Sequence, residues 1–361
     1  MRIVQRRCAG AREAFSRGVP EASPVLITGA SGFIGGRLAE RLLREGRSVR
    51  CYSRREIPAP AKQGAEVITG ELDDPRRLAE ACKGVGTVFH VAGRVGVWGP
   101  AAPFFRVNEG GTRAVIGACR RADVPRLVQT SSPSVVYNGS DLSGIDESAP
   151  LCTKAPCAYP TSKAAAERVV ASANSKPLRT VSLRPHLVWG AGDRNVVPRA
   201  LALAKSGRLR IVGSGTNRVD LTHIENVVDA HLLAEAALLA SDSVAAGRAY
   251  FITNGEPVVL WDFINELCVA AGIPPVRKHI SLPAAMAAGA ALELAWTLLR
   301  RRSDPPMTRF VAKELATDHF FSIEAARRDL GYSPRVSMAE GMRELAPMLR
   351  AEFGEHALPS S

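Results

Sequence analysis

The chain has 361 residues, 46% of them hydrophobic, and carries a formal net charge of +12. This length favours one large α/β domain with a smaller appended region over several independent domains. The basic residues are mostly arginines, spread along the chain without a nucleic-acid-binding motif, so nucleic acid is not expected as a partner. The seven cysteines include no C-x-x-C pair, which argues against a metal site or a disulfide framework and favours reduced thiols in the cytoplasm.

Residues 1–23 contain no apolar run of the length that a secretory signal needs, so we expect a basic N-terminal tail. From Pro24 onward, short apolar runs alternate with segments of helical periodicity. This alternation predicts an α/β fold, a doubly wound parallel (Rossmann) sheet with a smaller C-terminal substrate-binding region. Strands are predicted at 24–28, 48–53, 65–69, 87–91, 126–130 and 178–183, and helices at 32–46, 107–122 and 159–173.

The alternation loosens after Arg184-Pro185, which suggests where the domains divide. We expect a dinucleotide-binding domain over 24–185. A mixed region over 186–345 should complete the sheet and form the substrate pocket, and 346–361 should be a tail. An alanine-rich helix is expected within 281–299, where the apolar stretch approaches the length of a membrane span but contains a proline and a glutamate. A lid over the substrate is the favoured interpretation, and contact with a membrane surface or an enzyme complex is the alternative.

The segment Thr28-Gly29-Ala30-Ser31-Gly32-Phe33-Ile34-Gly35 joins the first predicted strand to the first helix. Gly29 permits a tight turn, Gly32 allows the backbone to approach a pyrophosphate, and Gly35 lets the helix pack closely on the sheet. The free N–H groups at the start of the helix favour binding of phosphate. Because the glycines follow a strand and open a helix, they predict a dinucleotide site.

The end of the second strand indicates which dinucleotide is bound. Sites for NAD place a carboxylate there to hold the ribose 2′-hydroxyl. This chain instead reads Cys51-Tyr52-Ser53-Arg54-Arg55. Guanidinium groups match the geometry of phosphate oxygens, so Arg54 and Arg55 favour the 2′-phosphate of NADP(H). Two solvated loop arginines are the alternative.

The segment Tyr159-Pro160-Thr161-Ser162-Lys163 places a phenol and an ammonium group four residues apart, on one face of a predicted helix. A phenol is a poor acid or base at neutral pH unless a neighbouring cation lowers its pKa, and Lys163 is expected to do this. Ser132 follows the strand predicted at 126–130 and should hydrogen-bond the oxygen of the same carbonyl. Ser132, Tyr159 and Lys163 therefore predict interconversion of a carbonyl and an alcohol.

Taken together, these residues make the chain similar to the extended short-chain dehydrogenases/reductases, in the 3β-hydroxysteroid dehydrogenase-like branch. The resemblance extends over nearly all of residues 24–345. Further motifs that carry it are His90-Val91-Ala92-Gly93, Val107-Asn108-Glu109-Gly110-Gly111-Thr112, Leu183-Arg184-Pro185, Trp189-Gly190-Ala191-Gly192-Asp193, Pro306-Met307-Thr308-Arg309-Phe310 and Asp329-Leu330-Gly331-Tyr332-Ser333-Pro334.

The resemblance implies that Ser132, Tyr159 and Lys163 are catalytic. It also implies a set of residues that contact the cofactor. These are Gly29, Ser31, Gly32, Phe33, Ile34, Gly35, Arg54, Arg55, Glu71, Leu72, Ala92, Tyr159, Lys163 and Pro185. Some proteins of this fold bind a dinucleotide as sensors, but they typically lack the tyrosine or the lysine, and both are present here. An enzyme is therefore favoured.

Two further segments are Gly96-Val97-Trp98-Gly99 and Tyr250-Phe251-Ile252-Thr253-Asn254-Gly255-Glu256-Pro257. With them the chain resembles, within this branch, the bacterial 2-alkyl-3-oxoalkanoate reductases of olefin biosynthesis, which implies a long-chain apolar substrate reduced with NADPH. A 3β-hydroxysteroid dehydrogenase or a decarboxylating sterol-4α-carboxylate 3-dehydrogenase is the alternative, and a homodimer stays open. A 3-oxo acid needs a mostly apolar pocket with one cationic or donor-rich corner. Arg94, Trp98, His186 and Trp189 follow strand ends and are candidates to line it, although packing residues would fit the same pattern.

Overall fold

The computed structural model describes residues 23–301 and 303–353. Fifteen strands are present in this part of the chain. They are β1 (Val25–Thr28), β2 (Val49–Ser53), β3 (Glu66–Thr69), β4 (Thr87–His90), β5 (Arg126–Thr130), β6 (Leu142–Ile145), β7 (Arg179–Pro185), β8 (Val188–Trp189), β9 (Ile211–Val212), β10 (Arg218–Val219), β11 (Thr222–His223), β12 (Ala249–Ile252), β13 (Val258–Val259), β14 (His279–Ile280) and β15 (His319–Phe321).

The described residues also form thirteen α-helices. They are α1 (Phe33–Arg44), α2 (Pro58–Lys62), α3 (Pro75–Cys82), α4 (Ala101–Phe105), α5 (Gly111–Arg121), α6 (Ala158–Ala173), α7 (Val196–Lys205), α8 (Ile224–Ala237), α9 (Leu260–Ala270), α10 (Leu282–Leu298), α11 (Arg309–Glu314), α12 (Glu324–Leu330) and α13 (Met338–Phe353). A π-helical turn (Arg106–Gly110) joins α4 to α5, and a 3₁₀ turn (Pro133–Val136) follows β5.

The main sheet has the strand order β12-β7-β5-β4-β1-β2-β3, and every neighbouring pair in it is parallel. The predicted fold class and the six predicted strands are confirmed. The sheet also contains β12, which pairs with β7 and which the apolar pattern did not predict.

Helices cover both faces of this sheet, and successive residues of a strand pack on opposite faces. In β1, Ile27 belongs to a core cluster with side chains of α1 and α8, whereas Leu26 belongs to a cluster with side chains of α3, α5 and α6. Because both faces are buried, the strand must be apolar throughout, which is why it appears as a continuous apolar run.

The rest of the chain forms smaller units around a separate core. A four-stranded sheet has the order β13-β10-β15-β6, and the pairs β8–β11 and β9–β14 are each parallel. The core of this region includes Trp189, Trp261 and Phe263. Its strands are two to four residues long, too short for a periodic pattern to predict.

The structure also bears on the expected tails. The N-terminal tail lies outside the described residues except for Ser23. At the other end, α13 continues past the expected boundary at residue 346, and it buries Leu345 and Leu349 against the second core. Residues 346–353 therefore belong to the folded body. None of the helices in the described ranges is both long and apolar enough to cross a membrane.

Candidate active site

The predicted site residues lie at one edge of the main sheet. Because its strands are parallel, their carboxyl ends meet at the same edge, where doubly wound sheets bind ligands. Each of these strands except β12 ends at or just before a predicted residue. Gly29 follows β1, Arg54 and Arg55 follow β2, Glu71 and Leu72 follow β3, Ala92 follows β4, Ser132 follows β5, and Pro185 ends β7.

The glycine turn forms a closely packed cradle between β1 and α1. Gly29 has a φ of +75°, a conformation that favours glycine, and a Cβ there would lie 2.7 Å from backbone atoms of Ala92. A Cβ on Gly35 would overlap the carbonyl group of Gly29. Gly32 precedes α1 as its N-cap, and Gly32 and Ser31 are exposed. The exposed start of a twelve-residue helix at a glycine-rich turn fits the pyrophosphate of a dinucleotide.

The glycine-rich segment 190–193, which follows β8, lies beside the start of α1. The Arg37 guanidinium donates a hydrogen bond to the Ala191 carbonyl at 3.2 Å. A Cβ on Gly192 would lie 3.7 Å from the Phe33 ring. The glycine-rich motif after β8 therefore contacts the helix at the predicted dinucleotide site, although more than 150 residues separate the two in sequence.

The end of β2 presents both predicted arginines to solvent. Arg54 and Arg55 are exposed, and neither guanidinium is paired with a carboxylate of the described residues. The Tyr52 hydroxyl donates a hydrogen bond to the Glu71 carbonyl at 2.7 Å and so ties the ends of β2 and β3 together. Leu72 packs close to the backbone of Gly111, at the start of α5. The arginines are therefore available to bind an anion.

The helix α6 carries Tyr159 and Lys163 one turn apart, as the spacing predicts. The Lys163 ammonium group is buried and donates a hydrogen bond to the Thr130 carbonyl, at the end of β5, at 2.6 Å. Ser132 caps the 3₁₀ turn that follows β5. The fold thus brings Ser132, Tyr159 and Lys163 together at the carboxyl end of β5.

The pKa of Tyr159 differs from the sequence-based expectation that Lys163 lowers it. Burial raises the pKa of Tyr159 above its ordinary value, although a hydrogen bond with the Ser132 side chain opposes this. Burial also lowers the pKa of Lys163 to about 8, and Glu167 opposes that shift. The expected lowering of the phenol pKa is therefore not found, because desolvation of the phenol outweighs the stabilising contacts.

A buried ion pair supports α6 from the side of β7. Glu167 binds the Arg184 guanidinium through two hydrogen bonds, of 2.6 and 3.1 Å, and accepts a third from the Ser131 hydroxyl at 2.6 Å. The Arg184 guanidinium also lies over the ring of Phe251, 4.8 Å from its centre. Sequence reasoning missed Glu167, although its position one turn after Lys163 was a usable signal.

Asn108, in the π-helical turn, connects two parts of the site. Its side-chain oxygen accepts a hydrogen bond from the Arg94 backbone N–H at 2.7 Å, and its amide donates to the Arg94 carbonyl at 3.0 Å. The same amide donates to the Ser162 hydroxyl at 2.9 Å, and that hydroxyl donates to the Tyr159 carbonyl at 2.9 Å. Asn108 therefore links the loop after β4 to the first turn of α6.

His90 is part of a buried hydrogen-bond chain at the carboxyl ends of β1 and β4. Its Nε2 lies 3.0 Å from the Thr112 hydroxyl, which donates to the Asn108 carbonyl, and its Nδ1 lies 2.8 Å from the Thr28 hydroxyl. Because the Thr112 proton is already donated, Nε2 carries the ring proton and Nδ1 accepts from Thr28. Burial and Lys163 lower the pKa of His90 to about 3, so the ring is neutral and holds β1, β4 and α5 together.

The four expected pocket residues have different environments. Trp189 does not line a pocket, because it is fully buried and packs edge-to-face on His223 and Phe263. His186 is also buried, with its Nε2 3.2 Å from Nδ1 of His319. Trp98 is partly exposed and Arg94 is exposed, so these two are accessible to a ligand.

The alanine-rich helix α10 packs against α11. A Cβ on Gly289 would lie 2.8 Å from backbone atoms of Thr308 and Arg309, and Glu293 forms an ion pair of 2.7 Å with Arg309. Glu314, at the end of α11, is close enough to Tyr137 and Cys157 to raise the pKa of both groups, although burial is the larger cause. Through α11, α10 is therefore connected to Tyr137 and Cys157, and the expected lid role of α10 stays a prediction.

Comparison with known proteins gives the family. A model of the 3-beta hydroxysteroid dehydrogenase/isomerase family matches residues 26–284. The chain belongs to this family. It is an oxidoreductase of the short-chain dehydrogenase/reductase superfamily, whose members use nicotinamide dinucleotides, and the resemblance inferred from its motifs is confirmed.

Members and structural relatives of this family match nearly the whole chain. The 2-alkyl-3-oxoalkanoate reductase of Stenotrophomonas maltophilia is 44% identical over 324 residues, which cover 89% of this chain and 98% of that protein. The 3 beta-hydroxysteroid dehydrogenase/Delta 5-->4-isomerase of Mycobacterium tuberculosis is 33% identical over 339 residues, which cover 91% and 90%. A solved structure of MoeE5 in complex with UDP-glucose and NAD is 26% identical, with a TM-score of 0.70, and the match covers 91% of this chain and 99% of MoeE5.

Proposed function

We propose that the protein reduces the 3-oxo group of a long-chain 2-alkyl-3-oxo acid with NADPH and yields the 2-alkyl-3-hydroxy acid. The observation that carries this proposal is the 44% identity to a 2-alkyl-3-oxoalkanoate reductase across 98% of that protein. The grouping of Ser132, Tyr159 and Lys163 supports the reaction class. In this proposal residues 24–185 hold the dinucleotide and residues 186–345 complete the substrate pocket.

In the proposed mechanism, Tyr159 donates its phenolic proton to the carbonyl oxygen, and Ser132 holds the same oxygen with a second hydrogen bond. The nicotinamide, when bound, supplies the hydride that reduces the carbonyl carbon. Lys163 has a pKa of about 8 and so is mainly protonated at neutral pH. Its positive charge favours the tyrosinate that remains after proton transfer. Its hydrogen bond to Thr130 and the nearby Glu167 fix its position.

The preference for NADPH rests on the end of β2. Arg54 and Arg55 are exposed there and unpaired with any carboxylate of the described residues. The residue that ends the strand is Ser53, so no carboxylate occupies the position that holds a ribose 2′-hydroxyl in NAD sites. The 2′-phosphate of NADPH would supply the anion that both guanidinium groups lack.

Oxidation of a 3β-hydroxysteroid is the second candidate function, and the steroid dehydrogenase of M. tuberculosis favours it at 33% identity. Both substrates place a 3-oxo or 3-hydroxy group in an apolar frame, so the same three catalytic residues would act on either. A 3-oxo acid differs in carrying a carboxylate beside the reacting carbonyl.

The test measures the purified protein with a substrate panel. We expect NADPH oxidation with 2-alkyl-3-oxo acids of several chain lengths, and a kcat/KM with NADPH above that with NADH. Turnover of a 3β-hydroxysterol with no activity on the acids would overturn the proposal in favour of the second candidate. Equal kcat/KM values for the two cofactors would overturn the NADPH assignment alone.

A further inference from the structure

The loop that follows β4, residues 93–98, lies beside the reactive groups. A Cβ on Gly93 would lie 3.7 Å from the Lys163 nitrogen. The next residue, Arg94, is fixed by both of its backbone hydrogen bonds to the Asn108 side chain. Because Asn108 is bound in turn to Ser162, whose hydroxyl donates to the Tyr159 carbonyl, the backbone of Arg94 has a defined position relative to Tyr159.

The side chain of Arg94 contacts an aromatic ring, and its charge has no carboxylate partner among the described residues. Its guanidinium carbon lies 4.9 Å from the centre of the Phe104 ring, and Phe104 is 1% exposed. No carboxylate of the described residues pairs with this guanidinium. Stacking on an aromatic face leaves the N–H groups at the edge of the guanidinium free to donate.

Four other arginines at this end of the sheet differ from Arg94 either in pairing or in position. Arg184 is buried against Glu167, and Arg37 pairs with Glu225 at 3.2 Å. Arg54 and Arg55 are unpaired, but they follow β2, where the distal phosphate of the dinucleotide is expected. Since β4 lies between β1 and β5 in the sheet, Arg94 follows the strand next to the one that leads to Ser132.

The rest of the loop is apolar and accessible. Val95 is 69% exposed, and Val97 and Trp98 are partly exposed. Three accessible apolar side chains beside an unpaired cation suit a ligand that has both an anionic group and an alkyl chain. The loop therefore has the chemical character of a binding site for a long-chain acid.

We propose that Arg94 binds the substrate carboxylate and so selects 3-oxo acids over neutral ketones and sterols. This inference rests on the proposed function, because it assigns one group of that substrate. The carboxylate is two carbon–carbon bonds from the reacting carbonyl carbon, so an acid held by Arg94 would present its 3-oxo oxygen to Ser132 and Tyr159. The alkyl chains would extend along Val95, Val97 and Trp98.

The test compares an acid with its own methyl ester. The stable 2-alkyl-3-hydroxy acid and its ester are oxidised with NADP⁺ by the wild type, Arg94→Gln and Arg94→Lys, and NADPH formation is followed. Loss of a charge-assisted hydrogen bond should lower kcat/KM for the acid by about 10–100-fold, mainly through KM. The kcat/KM for the ester should change by less than about threefold. Arg94→Lys should recover part of the kcat/KM for the acid because it keeps the charge.

The control variant is Arg208→Gln, which removes one exposed positive charge outside the predicted site. It should leave kcat/KM unchanged for both the acid and the ester. Titration with NADPH and the unfolding temperature should be unchanged in Arg94→Gln, which separates substrate binding from a folding defect. Equal losses for acid and ester, or no loss for the acid, would overturn the role of Arg94. A wild type that oxidises neither compound would overturn the proposed function, and the Arg94 inference with it.

Discussion

Glu167 and Arg184 form a fork-to-fork ion pair in which both side chains are about 95% buried, and this pair joins α6, the helix that carries Tyr159 and Lys163, to β7. The Ser131 hydroxyl adds a third hydrogen bond to the same carboxylate, one residue before the proposed catalytic Ser132. Because Glu167 lies one turn after Lys163, the pair also fixes the part of α6 that carries the ammonium group. The same carboxylate therefore joins α6 to β7 and acts on the charge of the proposed catalytic lysine.

Glu167→Gln should destabilise the protein strongly. Removing one partner of a buried ion pair leaves the other charge uncompensated, which costs about 3–5 kcal/mol in comparable cases. Glu109→Gln is the matched control, because Glu109 pairs with Arg113 at the surface, where i,i+4 pairs contribute about 0.3–0.5 kcal/mol. The free energy of unfolding, measured by urea denaturation, checks both variants. Similar losses in the two variants would contradict the assigned role of Glu167.

Lys163→Met should inactivate the enzyme yet stabilise the cofactor-free protein at pH 7. Lowering the lysine pKa from 10.5 to about 8 corresponds to an unfavourable burial of about 3 kcal/mol, from which the lost hydrogen bond to Thr130 subtracts about 1 kcal/mol. Since the folded pKa is below the unfolded one, the folded protein binds fewer protons between pH 8 and 10.5, and wild-type stability rises with pH there.

The free energy of unfolding of Lys163→Met should therefore exceed that of the wild type by less and less as the pH rises from 8 to 10.5. Urea denaturation without dinucleotide at pH 7 and at pH 10.5 measures the change. The control is Lys176→Met, which removes an exposed lysine and should show no such pH dependence. If the difference in the free energy of unfolding between Lys163→Met and the wild type stays constant with pH, burial of the lysine charge is not the cause of that difference.

Tyr159→Phe should remove turnover while NADPH still binds. The phenol is the proposed proton donor, whereas the phosphates are expected at the glycine turn, so chemistry and binding depend on different atoms. Loss of a general acid or base lowers the rate by about 10²–10⁴-fold. Steady-state kinetics and fluorescence titration with NADPH measure the two effects separately. Turnover near that of the wild type would exclude Tyr159 as the donor.

Replacing both Arg54 and Arg55 with glutamine should change the choice of cofactor. Because the 2′-phosphate distinguishes the two cofactors, we expect the Kd for NADPH to rise by about 10-fold or more and that for NADH to change little. Arg208→Gln serves again as the charge control. Equal weakening of both cofactors in a binding titration would point to a structural role for the two arginines.

Local patterns predicted most of the main sheet and the turn that follows β1. The apolar run of β1 reflects burial on both of its faces, and the turn after it requires glycine wherever backbone segments approach closely, as at Gly29 and Gly35. The spacing of Tyr159 and Lys163 follows from the 3.6-residue helical period alone. These features depend on residues close together in sequence, so the sequence displays them directly.

The short strands of the second sheet could not be predicted in this way. The strands β6, β10, β13 and β15 come from segments spread over residues 142–321, and each gains its hydrogen bonds only when the others are in place. Trp189 appeared suited to a ligand pocket because it follows β7 closely. It is instead a core residue, since Phe263 and His223 pack on it from segments remote in sequence.

The sequence by itself determined the reaction class, the position of the glycine turn and the identity of the three proposed catalytic residues, because each depends on local backbone geometry and on side-chain chemistry. Only the tertiary structure decided that Glu167 pairs with Arg184, that Asn108 fixes Arg94, and that desolvation raises the pKa of Tyr159. Burial and pairing depend on which surfaces meet after folding, and no local pattern in the chain records those contacts.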